Sequence, residues 1–337
     1  MSIPPKHTIV VVGGTGRVGG SVARSLHDNP AFHVRVTSRN PRGDKAQKIS
    51  SEGIEVVKAD SWNSEELENA FSGAWGVFMN TDSEDPDFKA EKGPPEHEMG
   101  RTVIDAARKM GVPHFVYAGS PDADRITKGE VSLVSFHSKG LISAYGREIG
   151  FKSFVNVNVG WMMENFWNPL YENSFGGFAR VPDAEGFLTI NLFAMSNDPE
   201  STPWTSVTDD YGDIAHGVFL NPEEWNGRVI WAISESCSFQ EVVDTYNKLT
   251  ASNFARYVLR TTPVIAATPG KTKEVNGVRN YSHYVKGNYC DGLPVDQTPA
   301  RNLKAAASKA RARQGVAAEL QTFEGFIRDH GLKGEAM

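Results

Sequence analysis

Residues 8–26, TIVVVGGTGRVGGSVARSL, decide the fold. The stretch opens on Thr8, Ile9 and three valines, an apolar β-branched run typical of a strand buried on both faces. A glycine-rich turn follows, and residues 17–26 then place apolar side chains at helical spacing. The order strand, turn and helix predicts the first unit of an α/β fold.

The turn itself predicts a dinucleotide site. Gly14, Gly16 and Gly19 satisfy GxGxxG, and Gly13 extends the pattern to GxxGxxG. Glycines there allow the tight turn and the close approach of a pyrophosphate, while the N-terminus of the helix offers free N–H groups to it. The expected pyrophosphate-binding residues are Gly13, Thr15, Gly16, Arg17, Val18 and Gly19.

The same alternation continues outward to residue 119. Apolar runs predict strands at 8–12, 34–38, 54–58, 76–80 and 114–119, with helices between them, among them one over 98–110. Such alternation requires crossover helices and therefore a doubly wound parallel sheet. We expect a Rossmann-type α/β fold with a second, smaller α/β domain towards the C-terminus.

The rhythm changes after residue 150. Strands are predicted at 153–159 and 228–233, and Ser238 with Glu241 forms a capping box that opens a helix to about residue 249. Residues 261–299 predict an irregular cap with one short helix at 281–286, followed by helices at 300–314 and 316–330. We expect a nucleotide-binding domain over 1–160, to which segments at about 205–235 return, and a smaller substrate-binding or cap region over 161–337.

Composition narrows the class of protein. The 337 residues carry a formal charge of −6, which offers no attraction to nucleic acid or to an anionic membrane. Cys237 and Cys290 stand alone, and the nine scattered histidines show no metal-ligand spacing, so neither a disulfide framework nor a metal is expected. No apolar run is long enough to span a bilayer. We expect a cytoplasmic protein.

The end of the second predicted strand indicates the cofactor. An acidic residue there would bind the ribose hydroxyl of NAD, but the sequence has Arg39 and Arg42, with no carboxylate before Asp44. Arginines offer forked donors to a 2′-phosphate. The pattern favours NADP(H), although solvated loop arginines are the alternative.

Further segments complete a family pattern. They are NPR at 40–42, ADS at 59–61, GRTVIDAARKMGVPHFVYAGS at 100–120, SKG at 138–140, GWMMENF at 160–166, residues 209–214 and TFEGFIRDHG at 322–331. With the glycine turn, the chain resembles the NmrA-like family of atypical short-chain dehydrogenase/reductases over most of its length. The resemblance implies an NADP-binding Rossmann domain, a smaller C-terminal domain and a cleft between them.

The resemblance also assigns cofactor residues. It implies that Asp60 and Ser61 lie near the adenine, that Asn80 and Thr81 line the nucleotide, and that residues 160–165 pass the nicotinamide. Asp60 could equally act as a capping carboxylate in a turn. From the last segment, the expected cofactor contacts are Gly160, Met162 and Asn165.

The catalytic position departs from the main-line pattern. Main-line relatives carry a tyrosine four residues before a lysine on one helix, and a serine at the end of the preceding strand. Ser120 and Lys139 occupy two of these positions, but Ser135 stands where the tyrosine should be. A serine hydroxyl has too high a pKa to replace a phenol, so the usual proton-transfer device is missing. Lys139 also holds the nicotinamide ribose in this pattern.

Two functions remain open. In the first, an NADP(H)-dependent reductase uses Lys139 or a water it polarises as proton donor, as the resemblance to the isoflavone-reductase-like branch implies, with Ser120 and Ser135 positioning the substrate or the water. Its substrate would be hydrophobic, of aromatic or polyketide type, in a pocket lined by Trp161, Met163, Phe166 and Trp167, with Met162, Tyr171, Phe175 and Phe178 nearby. The alternative for these side chains is core packing of the smaller domain. A redox-neutral isomerisation or cyclisation also stays open.

In the second function, the chain binds NADP without turnover and regulates a transcription factor or another protein. A regulator of this kind could also be nuclear. The motive is the missing tyrosine. Residues 300–316 carry five basic and no acidic side chains, which would suit an acidic partner or form a solvated face. The basic residues are Arg301, Lys304, Lys309, Arg311 and Arg313.

Overall fold

A computed structural model describes residues 6–83, 85, 88, 94–168, 177–178, 181–195, 201–263, 269–290, 295–313 and 315–331. Within these ranges the strands are β1 (His7–Val12), β2 (Phe32–Ser38), β3 (Glu55–Lys58), β4 (Gly76–Met79), β5 (His114–Tyr117), β6 (Ser153–Asn158), β7 (Trp161–Met162), β8 (Leu188–Leu192), β9 (Thr202–Thr205), β10 (Val229–Trp231), β11 (Glu235–Cys237) and β12 (Ala255–Leu259). The α-helices are α1 (Arg17–His27), α2 (Asp44–Ser51), α3 (Ser64–Phe71), α4 (Glu96–Lys109), α5 (Ala123–Thr127), α6 (Val134–Glu148), α7 (Gly212–Leu220), α8 (Phe239–Thr250), α9 (Pro269–Tyr284), α10 (Thr298–Ala310) and α11 (Phe323–His330).

The main sheet has seven strands in the order β10-β6-β5-β4-β1-β2-β3, and all of its pairings are parallel. The chain runs from β1 outward to β3, then returns to β4 on the other side of β1. A parallel sheet of this kind is covered on both faces, which is why its central strands are mostly apolar and buried. The predicted doubly wound α/β fold is confirmed.

The reversal between β1 and β4 positions the site. In open α/β sheets, ligands bind outside the carboxyl ends of the strands at the point where the strand order reverses. Here that point lies directly beyond the glycine turn.

A smaller unit is built from later segments. It contains a three-stranded sheet, β11-β9-β7, and a two-stranded parallel sheet, β12-β8. Its core is rich in large side chains, including Trp204, Phe239 and Tyr281, each fully buried. Meanwhile β10 joins the main sheet beside β6, and α7 packs against α1. Helix α10, which the sequence placed in the cap region, packs against α7.

Two helix predictions were wrong in length. Residues 269–284 form a 16-residue helix, α9, where only 281–286 was expected, because Val275, Val278 and Tyr281 supply a buried stripe that outweighs the glycines. The last helix begins at Phe323 rather than near residue 316, and the Thr322 side chain caps it. The Ser238–Glu241 capping box was correctly predicted.

None of the helices in the described ranges is both long and apolar enough to cross a membrane.

Candidate functional site

The glycine turn has the geometry that a pyrophosphate needs. Gly13 has φ +78°, in the left-handed region, and its carbonyl accepts a 3.0 Å hydrogen bond from Gly16 N. A Cβ on Gly19 would lie 2.4 Å from Gly13 O, so only glycine lets α1 approach the turn. Gly19 therefore acts through packing.

The N-terminus of α1 carries no protein anion. Its N-cap is Gly16, which has no side chain to cap it, and the first turn contains no acidic residue. The first N–H groups of a helix need acceptors, and the helix dipole favours negative charge there. The turn is therefore suited to an anionic ligand.

A cavity of about 420 Å³ opens at this edge of the sheet. Eleven of the residues expected to bind the cofactor line it: Gly13, Thr15, Gly16, Arg17, Val18, Arg39, Asp60, Ser61, Asn80, Met162 and Asn165. The remaining lining residues were not predicted: Thr37, Ser38, Ala59, Trp62, Asp82, Asp85 and Met99. The turn, the ends of β2, β3 and β4, and residues just after β7 thus form one site.

The other expected cofactor residues lie outside the lining. Arg42 is exposed on the loop after β2. Gly160 donates its N–H to Thr205 Oγ1 at 2.9 Å, and a Cβ there would lie 2.4 Å from Pro203 O, so this glycine allows close contact with β9. Thr81 and Lys139 are not among the lining residues, although Thr81 lies between Asn80 and Asp82, which are.

The end of the cavity beside β2 contains both signs of charge. Arg39 Nη2 lies 3.0 Å from Asp85 Oδ2. Asp60 Oδ1 accepts a 3.0 Å hydrogen bond from Trp62 N, which is the turn-stabilising role that the sequence left open, and Asp60 also lines the cavity. The sequence has no acidic residue near the end of β2. In the folded chain, however, the segment after β4 brings the Asp85 carboxylate next to Arg39.

Lys139, on α6, is held in a polar network. Its Nζ donates to Thr81 Oγ1 at 2.6 Å, to Thr81 O at 3.3 Å and to Glu96 Oε1 at 2.9 Å. Ser83 Oγ also donates to Glu96, and Tyr117 Oη lies 3.4 Å from Thr81 Oγ1. An ammonium has three N–H donors, and protein acceptors surround all three here.

Glu96, the first residue of α4, was missed by the sequence reasoning. Burial opposes its ionisation, but Lys139 and hydrogen bonds from Thr81, Lys139 and Ser83 outweigh burial, so the pKa of Glu96 is below its usual value. Burial, followed by the Glu96 charge, raises the pKa of Tyr117 well above its usual value. Glu96 is therefore ionised at neutral pH, beside a neutral phenol.

Ser120 and Ser135 make hydrogen bonds to partners other than Lys139. The Ser120 hydroxyl donates to Pro121 O at 3.3 Å, and the backbone N–H of Ser135 donates to Glu274 Oε1 at 2.9 Å. Their expected role in positioning a substrate or a water stays a prediction.

The residues expected to line a substrate pocket are mostly core residues. Met163 and Phe166 are almost fully buried, and Trp161 is 5% exposed. Phe166 packs against the rings of Trp167, Phe178 and Phe323 at centroid distances of 4.5 to 5.1 Å. These contacts favour the packing alternative, whereas Met162 faces the cavity. Tyr171 and Phe175 lie outside the described residues.

Glu164 connects the 160–166 segment to the main domain. Its Oε1 accepts from the backbone N–H and the hydroxyl of Thr208, at 2.7 and 2.9 Å. Burial raises the pKa of Glu164 despite these bonds and the nearby charge of Arg17. Glu164 therefore anchors the segment that carries Met162, two positions before it, and Asn165, one position after it, both of which line the cavity.

The basic stretch at 300–316 is not a uniform docking face. Lys304 is 2% exposed and pairs with Asp210, and Arg311 pairs with Asp28 and Asp213. Only part of the predicted basic surface is therefore available to a partner.

Within the described residues, no cluster of three or more histidine, cysteine, aspartate or glutamate side chains could hold a metal ion.

A parallel sheet with a glycine turn and a cavity at its switch point defines a Rossmann-type dinucleotide-binding class. The NmrA-like family model matches residues 5–304, and the chain belongs to this family. An NmrA-like family domain-containing oxidoreductase, cpsB of Aspergillus campestris, is 39% identical over 338 residues, covering 97% of this chain and 98% of its own.

Solved structures share the fold. NmrA, a negative transcriptional regulator crystallised with NADP, has a TM-score of 0.72 at 21% identity, over 96% of this chain and 95% of its own. The NADPH-dependent quinone oxidoreductase QOR2 of Escherichia coli, crystallised with NADPH, has a TM-score of 0.68 at 18% identity, over 95% and 99% of the two chains.

Proposed function

We propose that this protein is an NADP(H)-dependent oxidoreductase that reduces a hydrophobic small molecule, of aromatic or polyketide type, with Lys139 as the proton-transfer group. The observation that carries the proposal is the cavity at the switch point, where the glycine turn, Met162 and Asn165 meet in front of Lys139 and Thr81. The similarity to cpsB, which is named an oxidoreductase, supports the same reaction class.

The residues at the turn fit the cofactor. The uncapped N-terminus of α1 and the backbone of Gly13 and Gly16 would hold the pyrophosphate, and Arg39 would hold the 2′-phosphate. Asp60 and Ser61 would lie at the adenine. NADPH, when bound, supplies the hydride.

Lys139 would move the proton. Thr81, which accepts two of its hydrogen bonds, lies between Asn80 and Asp82, and both of these line the cavity. The ammonium is therefore one residue behind the wall, and exchanging a Thr81 contact for a substrate oxygen would let it donate. Glu96 Oε1, 2.9 Å from the Lys139 Nζ, would hold the ammonium in place meanwhile.

The test is NADPH oxidation with quinones, enones and aromatic ketones, followed at 340 nm. We expect turnover that falls about 100-fold or more in Lys139→Met, as for loss of a general acid, with NADPH affinity changed little. Lys109→Met, an exposed lysine paired with Glu68, is the matched control. Full turnover in Lys139→Met would refute the role of Lys139.

A second candidate is a regulator that binds NADP(H) without turnover. It is favoured by the Lys139 ammonium, whose three donors are all used inside the protein, and by Ser135 in place of a tyrosine. NmrA, which shares the fold, is described as a negative transcriptional regulator.

The regulator is tested by affinity capture of partners with the purified chain, loaded with NADP⁺ or with NADPH. We expect a partner whose recovery differs between the two forms, and Arg39→Asp, which should weaken NADPH far more than NADH, should remove the difference. Identical recovery with both forms would count against the regulator.

A further inference from the structure

An ion pair between Arg39 and Asp85 lies at the end of the cavity where the adenosine of the proposed cofactor would bind. Arg39 and Asp85 both line it, with 3.0 Å between Nη2 and Oδ2. The Arg39 side chain is 58% exposed, whereas that of Asp85 is only 10% exposed. Asp85 N donates to Asp82 O at 3.0 Å, and Phe88 N donates to Asp85 O at 3.1 Å, while the Phe88 ring meets Trp62 edge-on. The backbone at Asp85 is therefore held by two hydrogen bonds, and the exposed Arg39 guanidinium pairs with a carboxylate that is mostly buried.

We propose that Asp85 is a specificity-determining residue, which weakens the binding of a 2′-phosphate and favours a free 2′-hydroxyl. Any phosphate that the Arg39 guanidinium holds is brought close to a carboxylate, and the two like charges repel each other. A ribose hydroxyl, in contrast, can donate to that carboxylate.

Asp85 would thus perform from the segment after β4 the discrimination that an acidic residue at the end of β2 performs in NAD-binding relatives of this fold. Arg39 and Asp85 act in opposite directions. Arg39 favours the 2′-phosphate and Asp85 disfavours it, so the two together set how strongly NADP(H) is preferred over NAD(H). Without Asp85, that preference would be much stronger. This inference rests on the proposed cofactor but not on any substrate.

The test is calorimetric titration of the purified chain with NADP⁺ and with NAD⁺, so no substrate is required. Asp85→Asn removes the charge but keeps the size of the side chain and an oxygen that can accept from Arg39. We expect the Kd for NADP⁺ to fall about tenfold while that for NAD⁺ stays equal or rises. Arg39→Gln should do the reverse, weakening NADP⁺ and sparing NAD⁺.

Asp44→Asn is the matched control, since it removes one carboxylate from the start of α2, outside the cavity lining, and should leave both constants unchanged. Should Asp85→Asn lower the melting temperature, Asp85→Ser provides a second variant with the same expected shift. A Kd for NADP⁺ that is unchanged or larger in the Asp85 variants would overturn the inference. If the wild-type chain bound neither dinucleotide, the cofactor assignment itself would fall with it.

Discussion

Two lysine–carboxylate pairs lie in different parts of the molecule, and they differ in what surrounds them. Lys139–Glu96 adjoins the cavity, and its side chains are 14% and 5% exposed. Lys304–Asp210 joins α10 to the segment before α7, and its side chains are 2% and 0% exposed. Similar chemistry is thus used once beside a ligand site and once in a closed core.

The carboxyl groups respond in opposite ways. Burial is the largest influence on both, but at Glu96 the lysine and the hydroxyls of Thr81 and Ser83 outweigh it, and the pKa is lowered. At Asp210 burial prevails over Lys304, Ser234 and Gln321, and the pKa is raised. A carboxylate whose charged form is favoured suits a site that must hold a lysine side chain in a fixed place. A fully buried pair instead makes each partner indispensable to the other.

The largest effect expected from this difference is on stability. Lys304→Met would leave Asp210 fully buried without its counter-ion, and breaking such a pair costs about 3–5 kcal/mol of unfolding free energy. Chemical denaturation measures this directly. The double variant Lys304→Met/Asp210→Asn should recover much of the loss, and Lys309→Met, an exposed lysine on the same helix, should cost little. A loss under about 1 kcal/mol in Lys304→Met would remove the distinction between the two pairs.

A smaller loss is expected at the cavity. Lys139→Met should cost about 1–3 kcal/mol, because Glu96 keeps its hydrogen bond from Ser83 and its side chain, unlike that of Asp210, is not completely buried. Lys139→Met/Glu96→Gln should be more stable than the single variant. The same denaturation curves provide the comparison, and a loss as large as that of Lys304→Met would show that the Lys139 pair is equally structural.

Much of the fold was open to prediction from the sequence, because it depends on short-range patterns. The turn at 13–19 and the strand runs around it carry their own signal, since burial on both faces requires continuous apolar residues. The eleven predicted residues that line the cavity all adjoin such strands or belong to the matching family segments.

The side chains that set the electrostatics were not predictable in this way. Asp85 and Glu96 lie in or just after the loop that follows β4, where no periodic pattern indicates a partner, and Glu96 meets Lys139 across 43 positions of sequence. The aromatic residues after β7 were expected to line a pocket, but Phe166 belongs to the hydrophobic core. Residue type alone does not distinguish a pocket wall from a core. Charge partners and cavity walls are properties of the packed chain.

The finest test of the comparison is the pH dependence of stability, because the two carboxyls should act with opposite signs. Glu96 has a folded pKa below its ordinary 4.5, so its ionised form stabilises the protein above that value, and this contribution disappears as pH falls through the folded pKa. The stability difference between wild type and Glu96→Gln should therefore shrink on acidification.

Asp210 has a folded pKa above its ordinary 3.8, so its contribution is present below that value and is lost as pH rises through the folded pKa. Relative to Asp210→Asn, the wild type should therefore gain stability on acidification. Urea denaturation from about pH 7 down to about pH 3 should show the two stability differences changing in opposite directions. Slopes of the same sign would mean that the Lys139 site does not favour the charged carboxylate of Glu96, and the contrast between the two pairs would be lost.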